Sequence, residues 1–425
     1  MLITIFSLPE FSISFFRVLW IINIIVVGAL TVFYFNQAFH MILSIFTRKR
    51  KYKDTDSFHK YGYLIAACNE EEVIGDLIDS IKNQDYPKDL MKIYVVADNC
   101  TDNTANVAKE KGAIVFIRND KENIGKSYAL DYAFKRILEE DKDSEAFFIF
   151  DADNIVDKNF TKEINKAYDS GKKVITGYRA PKNFSDSWLS AGSSYMYLRE
   201  SRHIHHTRSR LNIGTYVSGT GYLVCRSYLE EFNGWPFRTL VEDVELSTFL
   251  TKRGEKIAFV EDAIFYDEQP SRLKGFWRQR LRWCRGNHQV FAKEGGSLFL
   301  SLLKKPSLTK WGMFVHILPL PAVTFIWFNL YTIIGFIYFL ATGVDSSIYF
   351  NECLVYCIEG FLYPFAFVFI EGIVLVIECW KQVKANPFIK IWYIILFPVS
   401  MYFLFPATVI ALFKKVKWTP TRQLK

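Results

Sequence analysis

Phe147-Phe148-Ile149-Phe150-Asp151-Ala152-Asp153 decides how the rest of this 425-residue chain is read. Four apolar residues in succession predict a strand buried on both faces of a parallel sheet. The two aspartates that end it fall where open α/β sheets bind their ligands, at the carboxyl ends of the strands. Carboxylates there suit Mg²⁺ or Mn²⁺, which take hard oxygen ligands and bridge phosphate groups. A D-x-D triplet alone is common by chance; its place after a buried strand gives it weight.

Three similar runs lie upstream: Tyr63 to Ala66, Ile93 to Val96 and Ala113 to Phe116. Helix candidates separate them, Glu71 to Gln84 and Ala105 to Lys111 among them. Strand and helix in alternation predict an α/β nucleotide-binding domain from about Tyr61 to about Phe265.

The flanks have another character. Val18 to Phe39 holds no Asp, Glu, Lys, Arg or His and is long enough to cross about 30 Å of hydrocarbon. Pro9 and Glu10 break the apolar stretch before it, which sets Met1 to Phe16 apart as an interfacial segment. Gly312 to Thr342, Leu354 to Ile377 and Ile391 to Phe413 are three further candidate spans. Arg48, Lys49, Arg50, Lys51 and Lys53 place the end of the first span in the cytoplasm by the positive-inside rule, with the N-terminus outside. The basic loop Lys381 to Lys390 reads as internal and the acidic one, Asp345 to Glu352, as external. A third complete crossing would put the tail's Lys414, Lys415 and Lys417 outside, against the rule. Pro398 and Pro406 could break the last segment, or Pro319 and Pro321 the first. The implied layout is a membrane segment at 1–46, an α/β domain at 47–271, interfacial amphipathic helices at 272–309 and membrane helices at 310–425.

The net charge of +8 gathers beside apolar segments, which suits anionic headgroups and excludes a nucleic-acid partner. Seven scattered cysteines without a C-x-x-C exclude a zinc site or disulfide scaffold. His203, His205 and His206 lie on a basic, solvated-looking stretch and are not expected to bind metal. Glu359 and Glu371 fall inside a candidate span, where a carboxylate faces a cavity or a partner. Lining a polymer path and pairing with other helices are both open.

Two more constellations carry chemistry. Glu242-Asp243 opens a stretch with helical spacing, where an acidic start favours the helix dipole. Asp243 also suits a general base that takes the proton of an attacking hydroxyl. Gln279-Arg280-Leu281-Arg282-Trp283 lies on a basic, aromatic amphipathic helix. There a guanidinium matches phosphate oxygens, and Trp283 can stack on the apolar face of a ring.

Taken in order, Asp98, Asp151-Ala152-Asp153, Glu242-Asp243 and Gln279 to Trp283 resemble the D, DxD, (T/E)D and QxxRW motifs of family 2 inverting glycosyltransferases. The branch resembled is the membrane-integrated one of cellulose, hyaluronan, chitin and β-glucan synthases, over roughly Tyr61 to Val290. The resemblance implies a cytosolic GT-A domain between membrane helices at the cytoplasmic membrane. It implies a UDP-sugar donor, Mg²⁺ or Mn²⁺, a growing polysaccharide acceptor and contact with the bilayer.

Residue by residue, it implies metal ligation by Asp153 with Asp151, the latter also near the nucleotide ribose. Donor contacts fall on Ala67, Asn69, Glu70, Asp98, Lys126 and Arg282. Acceptor contacts fall on Gly219, Thr220, Gly221, Glu242, Gln279 and Trp283, with Asp243 as the base. The chain departs at Val241, where the family has threonine, at Ala97-Asp98, where it has paired aspartates, and at Ala66, where it has proline.

The activity so implied is processive synthesis of a β-linked polysaccharide from a UDP-hexose. Layout favours a β-glucan from UDP-glucose, with 1,3 or mixed 1,3;1,4 linkage. Poly-β-1,6-N-acetylglucosamine and hyaluronan are alternatives, as are single transfer to a membrane lipid and a non-catalytic nucleotide sensor. Four spans are few for a closed tunnel, so a second copy or an accessory subunit is a candidate partner.

Overall fold

The computed structural model describes residues 10–342 and 346–417. Its centre is an eight-stranded sheet of order β3-β2-β1-β4-β7-β6-β8-β5. The strands are β1 (Tyr61–Ala67), β2 (Met91–Asp98), β3 (Ile114–Arg118), β4 (Ala146–Asp151), β5 (Ile155–Val156), β6 (Val174–Pro181), β7 (Tyr222–Cys225) and β8 (Ala258–Asp267). β1 pairs in parallel with β2 and β4, β2 with β3, and β6 with β8. The short β7 runs antiparallel between β4 and β6.

β4 shows why an unbroken apolar run forms a strand here. Successive side chains alternate between faces, and both faces are covered. Phe148 and Phe150 enter one core with Ile74, Leu77 and Phe160. Phe147 and Ile149 enter the other with Leu130, Phe134 and Leu246. All four are fully buried, and each contributes on the order of 2 kcal/mol by leaving water. β3 departs from expectation: it is an edge strand with Ile114 and Ile117 exposed.

Four helices among the described residues are long and apolar enough to cross a membrane: Ile21–Phe46, Leu320–Tyr338, Phe361–Glu378 and Pro387–Phe413. The first belongs to one helix, Glu10–Phe46, so residues 10–16 continue it and form no separate segment; residues 1–9 lie outside the described part. The expected span Gly312 to Thr342 is two helices, Leu308–Ile317 and Leu320–Thr342, parted at Leu318 and Pro319. The last region also divides, into Pro387–Tyr402 and Leu404–Phe413. Pro398 lies inside a helix. The break precedes Pro406, which lacks the N–H that would bond Tyr402 and whose ring would crowd that carbonyl.

The α/β domain is joined to these helices by a shared core. Tyr195 and Leu198, on helix Trp188–Arg199, pack with Leu375, Val376, Ile394 and Phe397. Gly192 permits the approach: a β-carbon there would overlap the side chain of Ser400.

Candidate active site

The acidic pair at the end of β4 opens into a cleft of about 450 Å³ that reaches from the sheet to the apolar helices. Asp98, Asp151, Asp153, Glu242, Asp243, Gln279, Arg282 and Trp283 all line it, with Ala67, Glu70, Lys126 and Gly219. Positions almost two hundred residues apart in sequence thus share one cavity.

Lys126 is the joint between the two acidic groups. It opens helix Lys126–Glu140, just after Gly125 at φ +133°. Its ammonium donates to Asp151 Oδ1 at 2.5 Å and to the Gly219 carbonyl at 2.6 Å, and lies 3.9 Å from Glu242. Burial opposes the charge, but Asp151 and Glu242 outweigh it and hold the ammonium above its ordinary range.

Asp153 is buried behind Asp151. Burial first, then the neighbouring charges of Asp267, Asp151, Glu70 and Glu268, push its carboxyl well above the usual range. Such crowding of carboxylates is what a divalent cation relieves. Among the described residues no three His, Cys, Asp or Glu side chains form a cage on their own. Asp151 and Asp153 offer the hard carboxylate oxygens that a divalent cation takes.

Glu242 and Asp243 form the first turn of helix Glu242–Lys252 and are both buried. Burial raises Glu242 to about 7, against the pull of Lys126. It raises Asp243 too, again opposed by Lys126 and by Arg282. Gly219, at φ +81°, leaves the space before Asp243 open: a β-carbon there would stand 3.8 Å from Oδ2.

Gln279 to Trp283 lies on helix Leu273–Val290, which packs on helix Leu404–Phe413. Arg282 lines the cleft and donates to the Leu240 carbonyl at 3.3 Å, beside the Glu242 turn. Trp283 meets Tyr197 edge-on, ring centroids 5.9 Å apart. Arg280 faces away, buried between Phe276 and Trp283 with a bond to Ser193.

On the donor side, Asp98 ends β2, paired with the buried Arg118 at 2.6 Å. Burial raises its carboxyl despite that partner. Burial also lifts Glu70, to about 8, with the neighbouring charges of Asp151 and Asp102 adding to the rise.

Three of the expected residues are not among those that line the cleft. Asn69 does not line the cleft; at φ +59° its side-chain oxygen accepts from the Thr101 N–H at 2.7 Å and fixes the loop. Thr220 is buried; its hydroxyl accepts from the Asp151 N–H at 2.9 Å and donates to Asn154. Asn154 donates in turn to Asp267 at 2.6 Å. Gly221, at φ +67°, lies against Phe265, whose ring a β-carbon would overlap. Thr220 and Gly221 are struts under the site.

The sequence reading missed Arg179 and Asp267, which line the same cleft. They pair at 2.5 Å; Arg179 also donates to the Ser218 carbonyl and lies 3.5 Å over the ring of Tyr197. Asp267 ends β8 much as Asp151 ends β4, a signal hidden because β8 is interrupted by Glu261-Asp262.

The histidine stretch is a further correction. His203, His205 and His206 are buried, not solvated. Glu371, also buried, faces His203 and Arg199 and does not line the cleft. The side chain of Glu359 lies outside the described residues, as do those of Cys353 and Cys357. The five described cysteines are free.

Residues 59–286 match the family model described as glycosyltransferase like family 2. A probable glycosyltransferase of Bacillus subtilis, YdaM, is 27% identical over 256 residues, 55% of this chain and 56% of that one. A poly-beta-1,6-N-acetyl-D-glucosamine synthase of Staphylococcus aureus is 26% identical over 295 residues, 68% of this chain and 66% of that one. The chain thus spans 56% to 66% of the length of these curated relatives. A solved structure, mannosyltransferase PcManGT of Pyrobaculum calidifontis in complex with GDP-Man and Mn²⁺, superposes at a TM-score of 0.56. It covers 93% of this chain and 98% of its own at 16% identity, and so speaks to the fold alone. With a GT-A sheet, apolar helices on both flanks and a family model spanning more than half its length, this chain belongs to glycosyltransferase like family 2 and is a glycosyltransferase.

Proposed function

We propose that the chain is a membrane-seated, inverting glycosyltransferase that lengthens a β-linked polysaccharide from a UDP-hexose at the cytoplasmic face. The observation that carries this reading is the Lys126 bridge, which puts Asp151 and Glu242 on one ammonium within a single cleft.

In this reading the donor diphosphate lies between the β4 carboxylates and the cationic groups Lys126 and Arg282. Asp153, with Asp151, would hold Mg²⁺ or Mn²⁺, which stabilises the charge gathering on the departing diphosphate. Glu70, with Asp98 and the loop fixed by Asn69, binds the nucleoside. The acceptor's terminal ring lies on the Gly219 backbone, with Trp283 stacked against its apolar face and Gln279 and Glu242 on its hydroxyls. Asp243 takes the proton of the attacking hydroxyl. Attack from the face opposite the diphosphate turns an α-linked donor into a β-linked product.

Two sugars have support. The layout of spans resembles β-glucan synthases and favours UDP-glucose. The Staphylococcus aureus relative is named a poly-N-acetylglucosamine synthase and favours UDP-N-acetylglucosamine. Membranes carrying the chain, given a panel of labelled UDP-sugars, are expected to make a polymer from one of them. A product of fixed small mass that extracts into organic solvent would overturn processive synthesis in favour of transfer to a lipid. Nucleotide binding without transfer from any donor would favour a sensor.

A further inference from the structure

One wall of the cleft is a short π-helical segment, Glu200–His205, that continues helix Trp188–Arg199. Arg199, Glu200 and Ile204 from this wall line the cleft. Departures from α-helical geometry of this kind are sustained by their surroundings and gather at functional sites. What sustains this one comes from the membrane side.

His203 points away from the cleft and is 1% exposed. Its Nδ1 faces Glu371 Oε1 at 3.3 Å and its Nε2 faces Glu378 Oε2 at 3.1 Å, both on helix Ser346–Glu378. A neutral imidazole has one N–H and one lone pair, so it would aim that lone pair at a carboxylate oxygen. With both carboxylates ionised, the imidazolium donates to each of them.

The neighbours agree. On the same element Arg199 lies 3.8 Å from Glu371, and Arg202 donates to Glu378 at 2.9 Å and faces Glu261 of β8 at 3.4 Å. Glu261 also meets His206 at 2.5 Å. From helix Glu10–Phe46, Gln37 accepts from Arg199 at 2.9 Å, Ser44 bonds Glu378 at 3.3 Å, and His40 is tied to Thr207 at 2.6 Å. Three carboxylates (Glu261, Glu371, Glu378) face Arg199, Arg202 and His203, with His206 also on Glu261, and a protonated His203 places a positive charge between Glu371 and Glu378.

We propose that His203 is a positioning residue whose positive charge pins the cleft wall Glu200–His205 to the membrane helix carrying Glu371 and Glu378, so that transfer fails when the charge is lost. The proposal rests on the membrane-seated reading above. Burial depresses the imidazole, but Glu371 and Glu378 outweigh it and raise His203 above the ordinary 6.5. The sign follows: the clamp is complete below the usual histidine range and is lost as pH rises through the raised value.

The test compares the wild type, His203→Gln and Glu378→Gln in detergent or nanodiscs, with two readouts. The first is the pH profile of kcat/KM with whichever donor turns over. The second is hydrogen exchange of residues 199–206, corrected for intrinsic rate. In the wild type, activity and protection should fall together on the alkaline side. His203→Gln should lose at least tenfold at pH 7 and show no alkaline step. Glu378→Gln removes one anion and should move the step to lower pH, which keeps the test open if His203→Gln does not fold. Profiles of the same shape in all three proteins would overturn the proposal, as would exchange in 199–206 that ignores pH in the wild type. If no donor turns over, the exchange data alone decide the clamp, and only the reading of function fails.

Discussion

Replacing Lys126 by Met removes a cation that touches both acidic groups while keeping most of the side chain's volume. The ammonium lies 3.9 Å from Glu242 and also acts on Asp243. Unit charges about 4 Å apart interact by about 4 kcal/mol at an effective dielectric of 20 and by about 1 kcal/mol in water. The cleft is wet at its mouth, where the Asp151 side chain is 39% exposed. A loss of about 1.5 to 4 kcal/mol is therefore expected, on the order of ten- to a thousand-fold in kcat/KM.

The pH dependence separates this mechanism from simple damage. Burial already raises Asp243, and Lys126 is the largest influence opposing it. A base acts when deprotonated, so activity is present above the pair's titration and lost as pH falls through it. Without Lys126 that acid limb must move to higher pH, and the variant must lose more at pH 6.5 than at pH 8.5. Lys126→Arg should keep the limb in place. The assay is nucleotide release from membranes at saturating and limiting donor, from pH 5.5 to 9. An acid limb unmoved in Lys126→Met would refute the coupling between the two acidic groups.

Asp243→Asn should lower transfer by at least 10² to 10⁴, the usual worth of a general base, while donor binding measured by calorimetry stays within a few-fold. Asp153→Ala should weaken donor binding and its dependence on added Mg²⁺ or Mn²⁺ together; binding that stays metal-dependent would move the cation elsewhere. Gly221→Ala forces a β-carbon into Phe265 at a left-handed backbone position. It should cost about 1 to 3 kcal/mol and lower the midpoint of thermal unfolding, since overpacking and a strained φ add. Thr220→Val should cost transfer more than stability, because it frees the Asp151 N–H that the hydroxyl holds.

The first half of the sheet is legible in the chain because its strands are unbroken apolar runs with helices between them. The second half is not: β6 contains Gly177 and Pro181, β7 has four residues, and β8 carries Glu261 and Asp262 facing the domain's margin. No periodicity rule distinguishes such strands from loops. The same gap hid Arg179 and Asp267, which depend on β6 and β8 for their places. Asp151 and Asp243, at a strand end and a helix start, stand where local pattern places them, and Lys126, expected from the resemblance, opens a helix beside them. Thr220, Gly221 and Asn69 also hold backbone in place, a role set by tertiary packing that a linear motif does not contain. His203 and Glu371 are the clearest case. Read alone, one is a solvated histidine and the other a costly carboxylate; in the fold each is the other's partner across 168 residues.

The most direct measurement of the central claim is the configuration of the newly made glycosidic bond, read by NMR from the anomeric coupling of polymer formed from an α-linked donor. One base at Asp243, set across a shared cleft from the carboxylates and cations that take the diphosphate, predicts β bonds throughout. α bonds would contradict it, because they require either a second displacement or attack from the diphosphate's own side.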